Sequence, residues 1–343
     1  MVKRINLALQ GGGAHGAFTW GVLDRLLECP EIEIAGISGT SAGAVNGAAL
    51  KSGMVIGGRE RARETLEWVW SGIAGIKDAD LTAWLSAHAP PTAQINAAIE
   101  MSLPYRLGDY LAQTTSPYLT GPFYRNPLER IVTHMHFGSV CSEEGPALYV
   151  CATNVRTGRI RVFEGGEISG KALMASACLP TLFRAVEIAD PDGTVDAYWD
   201  GGYSGNPALF PLYRPELPND VVIVNINPLE RPGLPYAAQD IMNRVNEISF
   251  NAALLGELRS IRFVARLIES GTLPPGSMKK VLVHMIADDE LMRTLSVATK
   301  TVPSAIIIDR MKTAGRQAAD RFLDAHLGDL NERGSIDLAE MFD

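Results

Sequence analysis

The sequence has few cysteines and no long apolar run. Its 4 cysteines among 343 residues show no CxxC spacing, which argues against a disulfide framework and against a zinc site. No stretch approaches the roughly 18 consecutive apolar residues that a membrane-spanning helix needs. We therefore expect reduced, mostly buried thiols, and any membrane contact should be peripheral.

Positive charge is also scarce. The 31 Lys and Arg residues are outnumbered by 39 Asp and Glu, for a net charge of −8, and no basic cluster suited to neutralising nucleic-acid phosphates appears. The apolar run Ile5–Leu9 meets three glycines before it reaches the roughly 7–15 residues of a signal-peptide core. We expect a folded cytoplasmic protein that binds no nucleic acid, with membrane contact limited to its surface.

Apolar patterning predicts an α/β fold with a mostly parallel sheet, because helical periodicity follows the first two strands. The predicted strands are Ile5–Gln10, Ile34–Ser38, Ala147–Asn154, Arg159–Phe163, Val221–Ile226 and Val281–Ile286. Prolines then punctuate the chain and the pattern beyond them is mostly helical. We place one domain over residues 1–230 and a helical extension, packed on it, over residues 231–343.

The sharpest motif is the GxSxG segment Gly39–Gly43, which follows a predicted strand and precedes a helical stretch. In such an elbow the flanking Gly39 and Gly43 allow a tight turn, and the serine hydroxyl projects beside a helix N-terminus. Ser41 is therefore a candidate nucleophile. The alternative is a glycine-rich turn in which Ser41 only caps the helix.

A second glycine segment, Gly11–Gly16, satisfies the GxGxxG pattern of dinucleotide-binding turns. That interpretation needs an acidic residue at the end of the second strand, but here the second strand runs directly into the Ser41 elbow. An acyl-transfer interpretation uses the same glycines differently. The N–H groups of Gly11, Gly12 and Gly13 would stabilise the oxyanion that forms when Ser41 attacks an ester.

A serine nucleophile needs a base. Of the 6 histidines, only His284 has the late, strand-associated position of a catalytic-triad histidine, and a hydrogen-bonded core residue is the commoner role for such a side chain. Asp200, in the segment Trp199–Tyr203, is the stronger partner because the two glycines after it permit close backbone approach.

With these three blocks in order, the sequence resembles the patatin-like phospholipase family. In that family a GGGxxG segment supplies the oxyanion hole, GxSxG supplies the serine, and DGG or DGA supplies the aspartate of a Ser-Asp dyad. Residues 11–16, 39–43 and 200–202 match these motifs. Weaker similarity lies at Ala152–Asn154, at Ala175–Ala177 and at Asn206-Pro207, so the resemblance covers about residues 5 to 228.

The resemblance implies a three-layer α/β/α fold, with Ser41 as nucleophile, Asp200 as base and Gly11–Gly13 as oxyanion donors, and no metal or cofactor. The family often carries Arg or Lys where this sequence has His15. We therefore hypothesise that His15 contributes charge to the oxyanion site; the alternative is that it only packs or caps the helix.

The implied activity is hydrolysis of lipid acyl esters: phospholipid, lysophospholipid or neutral lipid. Three alternatives stay open at this stage. The first is an esterase or thioesterase for small soluble acyl groups, since no strongly amphipathic membrane-binding segment is evident. The second is a catalytically silent lipid-binding protein, which retention of Ser41 and Asp200 argues against. The third, a dinucleotide-dependent oxidoreductase, is the remotest.

Overall fold

A computed structural model describes residues 2–75, 78–119, 126, 128–190, 192–274 and 276–343. The strands are β1 (Lys3–Leu9), β2 (Ile32–Thr40), β3 (Ala147–Asn154), β4 (Ile160–Glu164), β5 (Val186–Ala189), β6 (Val195–Asp200), β7 (Asp220–Val224) and β8 (Leu282–Ile286). The helices are α1 (Gly16–Glu28), α2 (Ala42–Ala74, interrupted at Gly57 and Gly58), α3 (Ala79–His88), α4 (Thr92–Met101), α5 (Leu103–Thr114), α6 (Glu129–Val132), α7 (Phe137–Val140), α8 (Gly170–Ser176), α9 (Ala238–Glu269), α10 (Asp289–Arg293), α11 (Val297–Thr301), α12 (Ala305–His326) and α13 (Leu338–Phe342).

One sheet organises the chain, in the order β5-β6-β3-β2-β1-β7-β8, with β4 also paired to β3. The pairs β3-β2, β2-β1, β1-β7 and β7-β8 are parallel, whereas β4, β5 and β6 pair antiparallel. The expected mostly parallel sheet is therefore confirmed, and an antiparallel edge, of which only β4 was predicted, is added to it.

Helices cover both faces of the sheet. Alternate residues of a strand point to opposite faces, so one strand contributes side chains to two cores. On β7, Val222 and Val224 pack in the larger apolar core with residues of α1, α2 and α12. Val221 and Ile223 instead join a second core with residues of α9 and flanking segments. This confirms the three-layer α/β/α architecture.

The C-terminal third is built into the same fold. β8 extends the sheet in parallel beside β7, and α12 packs along α1. The boundary near residue 230 stays a prediction, but residues beyond it supply a strand of the sheet and a large part of the covering helices.

Three of the four cysteines are buried, Cys141 is partly buried, and all four are unpaired thiols. Within the described ranges, no helix has both the length and the apolar character needed to cross a membrane.

The contact between α1 and α12 depends on glycine. A Cβ atom on Gly21 would overlap the carbonyl oxygen of Lys312, and one on Gly315 would overlap that of Phe18. The two helix backbones therefore touch at these positions.

We expect Gly21→Ala to lower the free energy of unfolding by about 1–3 kcal/mol, because the added methyl group must push α12 away from α1. Urea unfolding measures the change. Gly256→Ala is the matched control, since this α9 glycine has open space around it and the better helix propensity of alanine should leave stability unchanged or slightly raised. Equal effects of the two substitutions would contradict the packing argument.

Candidate active site

Ser41 lies at the sharp turn between β2 and α2. Its backbone has φ 54° and ψ −122°, a left-handed value of φ that is rare outside glycine and is typical of strained functional turns. The turn fits because Gly43 has no side chain: a Cβ there would overlap the carbonyl oxygen of Leu9 at the end of β1. The elbow is thus pressed against the carboxyl end of the neighbouring strand.

Ser176, at the end of α8, holds the elbow in place. Its hydroxyl accepts a hydrogen bond from the Ser41 N–H at 2.8 Å and donates one to the Cys151 carbonyl at 2.6 Å. The side chain therefore ties the strained turn to β3. The family resemblance includes the segment Ala175–Ala177, but the sequence analysis assigns Ser176 no role.

Strand register brings Asp200 to the same place. Thr40, the residue before the serine, pairs with Cys151, and Asp200 pairs with the next residue of β3, Ala152. The Asp200 N–H also donates to the Cys178 carbonyl at 2.8 Å. The end of β6 and the elbow after β2 are therefore adjacent along β3.

The Asp200 carboxyl is almost completely buried, with 1% of the residue exposed. Burial raises its pKa to about 7, against the opposing effect of hydrogen bonds from the Gly202 N–H and the Ser41 side chain. The Gly202 N–H donates to Oδ1 at 2.8 Å. A carboxylate with a raised pKa is a stronger base toward a serine hydroxyl than an ordinary surface aspartate.

The glycine segment lies beside Ser41, but Gly11 is not placed as expected. Its N–H donates to Asn206 Oδ1 at 2.6 Å, so this amide is already engaged and does not face the cavity. Gly12 and Gly13 do line the cavity with Ser41. We therefore restrict the proposed oxyanion donors to Gly12 and Gly13. Asn206, previously only part of a weak similarity, fixes the start of the segment.

The surroundings of His15 favour the alternative that it packs the glycine segment, since it does not line the cavity that contains Ser41. His15 is buried, and its Nε2 lies 2.9 Å from Thr299 Oγ1. Burial, reinforced by the charge of Lys300, lowers its pKa well below the ordinary value. The ring is therefore neutral at physiological pH, and His15 packs the base of the glycine segment instead.

His284 is a buried residue of the sheet whose two ring nitrogens both have partners. Nε2 lies 3.0 Å from Asp220 Oδ1 and Nδ1 lies 3.1 Å from Ser335 Oγ. It does not line the cavity that contains Ser41. The triad alternative for His284 therefore has no support in the geometry.

Ser41 and Asp200 open onto one largely apolar cavity of about 280 Å³. The segment 170–200 contributes Ala177, Leu179, Leu182 and Phe183, and the C-terminal third contributes Asn246, Phe250, Val297, Lys300, Thr301 and Pro303. This second group could not be predicted from the sequence, because its residues match no motif and meet the site only through tertiary packing. Across the described part of the chain, no three His, Cys, Asp or Glu side chains lie together as a metal site requires.

Comparison with known proteins finds a family match. The family profile described as Patatin-like phospholipase matches residues 7–213. No curated protein matches the chain significantly. Among solved structures, the crystal structure of VipD from Legionella pneumophila is similar at 17% identity and a TM-score of 0.43, over 94% of this chain and 67% of that one.

The burial of Asp200 predicts a stability gain when its charge is removed. A buried carboxyl with a raised pKa binds its proton more tightly in the folded state than in the unfolded chain. As pH rises from about 4 toward 7, the carboxyl ionises more readily in the unfolded chain, and this lowers the free energy of unfolding. We expect Asp200→Asn to match the wild type at pH 4 and to exceed it increasingly up to pH 7. At about 1.4 kcal/mol per pH unit, the difference reaches roughly 4 kcal/mol.

Urea unfolding between pH 4 and pH 8 tests this expectation. Asp196→Asn is the control, because this β6 carboxylate is partly exposed and paired with Arg156, so its loss should change stability by less than about 1 kcal/mol. A stability difference between wild type and Asp200→Asn that stays constant with pH would contradict the account.

Proposed function

Because the chain belongs to the patatin-like phospholipase family, we propose that it is a serine hydrolase that cleaves lipid acyl esters with a Ser41–Asp200 dyad. Family membership implies lipid acyl hydrolase chemistry. The proposal for these two residues rests on one observation: a serine with a strained backbone and a buried aspartate of raised pKa line the same apolar cavity.

The reaction begins when Ser41 Oγ attacks the acyl carbon of the ester and its proton passes to the Asp200 carboxylate. The tetrahedral oxyanion accepts hydrogen bonds from the N–H groups of Gly12 and Gly13. The C–O bond then breaks, and the proton on Asp200 passes to the departing alcohol or lysolipid. An acyl-enzyme on Ser41 remains.

Water completes the cycle. It attacks the acyl-enzyme while Asp200 accepts its proton, and that proton returns to Ser41 Oγ as the fatty acid leaves. The apolar walls of the cavity, among them Leu182, Phe183 and Phe250, suit an acyl chain, because transfer of apolar surface from water stabilises the bound state.

Contact with a lipid surface has independent support. On α9, the helix that supplies Asn246 and Phe250 to the cavity, the side chains of Ile241, Val245 and Ile248 are exposed by 43–54%. Their spacing of four and three residues places them on one helix face. We propose this face as part of a peripheral membrane contact.

An esterase or thioesterase for small soluble acyl groups remains the second candidate. The apolar exposure on α9 favours the lipid hydrolase over it. Sedimentation of the Ser41→Ala protein with liposomes separates the two: a lipid hydrolase binds, and an enzyme for small soluble esters stays in the supernatant.

Hydrolysis of chromogenic acyl esters of increasing chain length tests the dyad. We expect Ser41→Ala and Asp200→Asn each to lower kcat by at least about 1,000-fold, because one removes the nucleophile and the other its base. His284→Ala should keep kcat within about threefold of wild type if the fold is intact, as checked by circular dichroism. An inactive but folded His284→Ala, or an active Ser41→Ala, would contradict the proposal.

A further inference from the structure

The cavity holds one basic side chain that the proposed reaction does not use. Among its described lining residues, Lys300 is the only cation and Asp200 the only carboxylate. Lys300 belongs to α11, in the C-terminal third, beyond the segment 7–213 that matches the family profile. A charged side chain in an otherwise largely apolar cavity is costly unless it has a binding partner.

Helix α11 lies directly against the glycine segment. The carbonyl oxygen of Lys300 occupies the space that a Cβ on Gly13 would need. The Lys300 ammonium donates to Asn227 Oδ1 at 2.7 Å, and the Asn227 amide in turn donates to the Gly11 carbonyl at 2.9 Å. The ammonium also lies 6.0 Å from the centroid of the Phe250 ring, which lines the cavity. The positive charge is therefore held between the glycine segment and the cavity wall.

The ammonium has no carboxylate partner in the part of the chain that the structure describes. Glu247 is the acidic residue whose charge acts on it, but the Glu247 carboxylate already binds Arg231 at 2.6 Å and Arg244 at 3.2 Å. Burial lowers the pKa of Lys300 to about 8, so the group is still mostly charged at pH 7. A partly buried ammonium with one amide acceptor is short of hydrogen-bond partners.

The surrounding backbone adds to the positive potential. Gly12, Gly13 and Ala14 line the cavity just before α1, a helix of 13 residues. The N-terminal end of a helix carries partial positive charge and unpaired N–H groups, which favour a bound anion. The N-terminal end of α1 and the Lys300 ammonium therefore both favour a bound anion.

We propose that Lys300 binds an anionic group of the substrate, a phosphate or a carboxylate, so that the cavity selects acyl esters bearing such a group over neutral esters. This rests on the proposed function, because it specifies the substrate class of the same site. Lys300 acts as a specificity-determining residue, and the C-terminal third thereby takes part in substrate recognition.

Binding of octyl phosphate and of octanol tests the proposal without requiring catalysis. Isothermal titration calorimetry on the Ser41→Ala protein should show octyl phosphate binding at least about tenfold more tightly than octanol, since the two probes share the alkyl chain and differ in the anion. Adding Lys300→Met should remove most of that preference and leave octanol affinity within about threefold. Lys300→Arg should retain most of it.

Two controls keep the result specific. Lys280→Met removes an exposed lysine that does not line the cavity, and it should leave the preference unchanged. Lys300→Gln is a second neutral variant that keeps a polar hydrogen-bond donor at this position, in case Lys300→Met disturbs α11. Thermal unfolding verifies that each variant is folded.

Three results would overturn the proposal. One is equal affinity of octyl phosphate and octanol for the protein with Lys300 intact. Another is an equal loss of affinity for both probes in Lys300→Met. The third is inorganic phosphate binding as tightly as octyl phosphate, which would identify a site for free phosphate. Failure of the acyl hydrolase proposal is recognised separately, by ester hydrolysis that survives Ser41→Ala.

Discussion

The candidate site depends on strand register along β3. Cys151 pairs with the last residue of β2, and the next residue, Ala152, pairs with the last residue of β6. This one-residue step brings the Ser41 elbow and Asp200 together from chain positions far apart in sequence. Ser176 reinforces it, since its hydroxyl links the Ser41 N–H to the carbonyl of Cys151. A slip in register would separate Ser41 from Asp200.

Burial gives Asp200 its chemistry and opposes stability at the same time. An aspartate exposed to water would be ionised but weakly basic, whereas the buried carboxyl titrates near neutral pH. The fold tolerates this because the Gly202 N–H and the Ser41 side chain stabilise the ionised form in part. Strain at Ser41 and burial of Asp200 are both features that tertiary packing must compensate.

Much of the framework could be predicted from sequence, because it depends on local patterns. The expected strand Ile34–Ser38 forms within β2, Val281–Ile286 forms as β8, and the GxSxG segment forms a turn between strand and helix. These features need only apolar periodicity and small residues at a turn. Strands β5 and β6 were missed because both are short and only partly buried, so their apolar pattern is weak, and β6 joins the sheet through a distant pairing with β3.

Where the described site differs from the sequence-based expectation, the cause is the same: burial and hydrogen-bond partners are not visible in a linear sequence. His15 looked like a cation, but its enclosure keeps it neutral. Gly11 looked like an oxyanion donor until Asn206, nearly two hundred residues away, was found to accept its N–H. Lys300 gave no signal at all, because it meets the cavity only through the packing of α11 on the glycine segment.

The most direct test of the dyad is the pH dependence of Ser41 acylation, followed as the pre-steady-state burst with a chromogenic ester. If buried Asp200 is the base, the burst rate rises with pH through a single midpoint near 7 and levels off above it. A midpoint near 4, or a burst of unchanged rate in Asp200→Asn, would contradict the account.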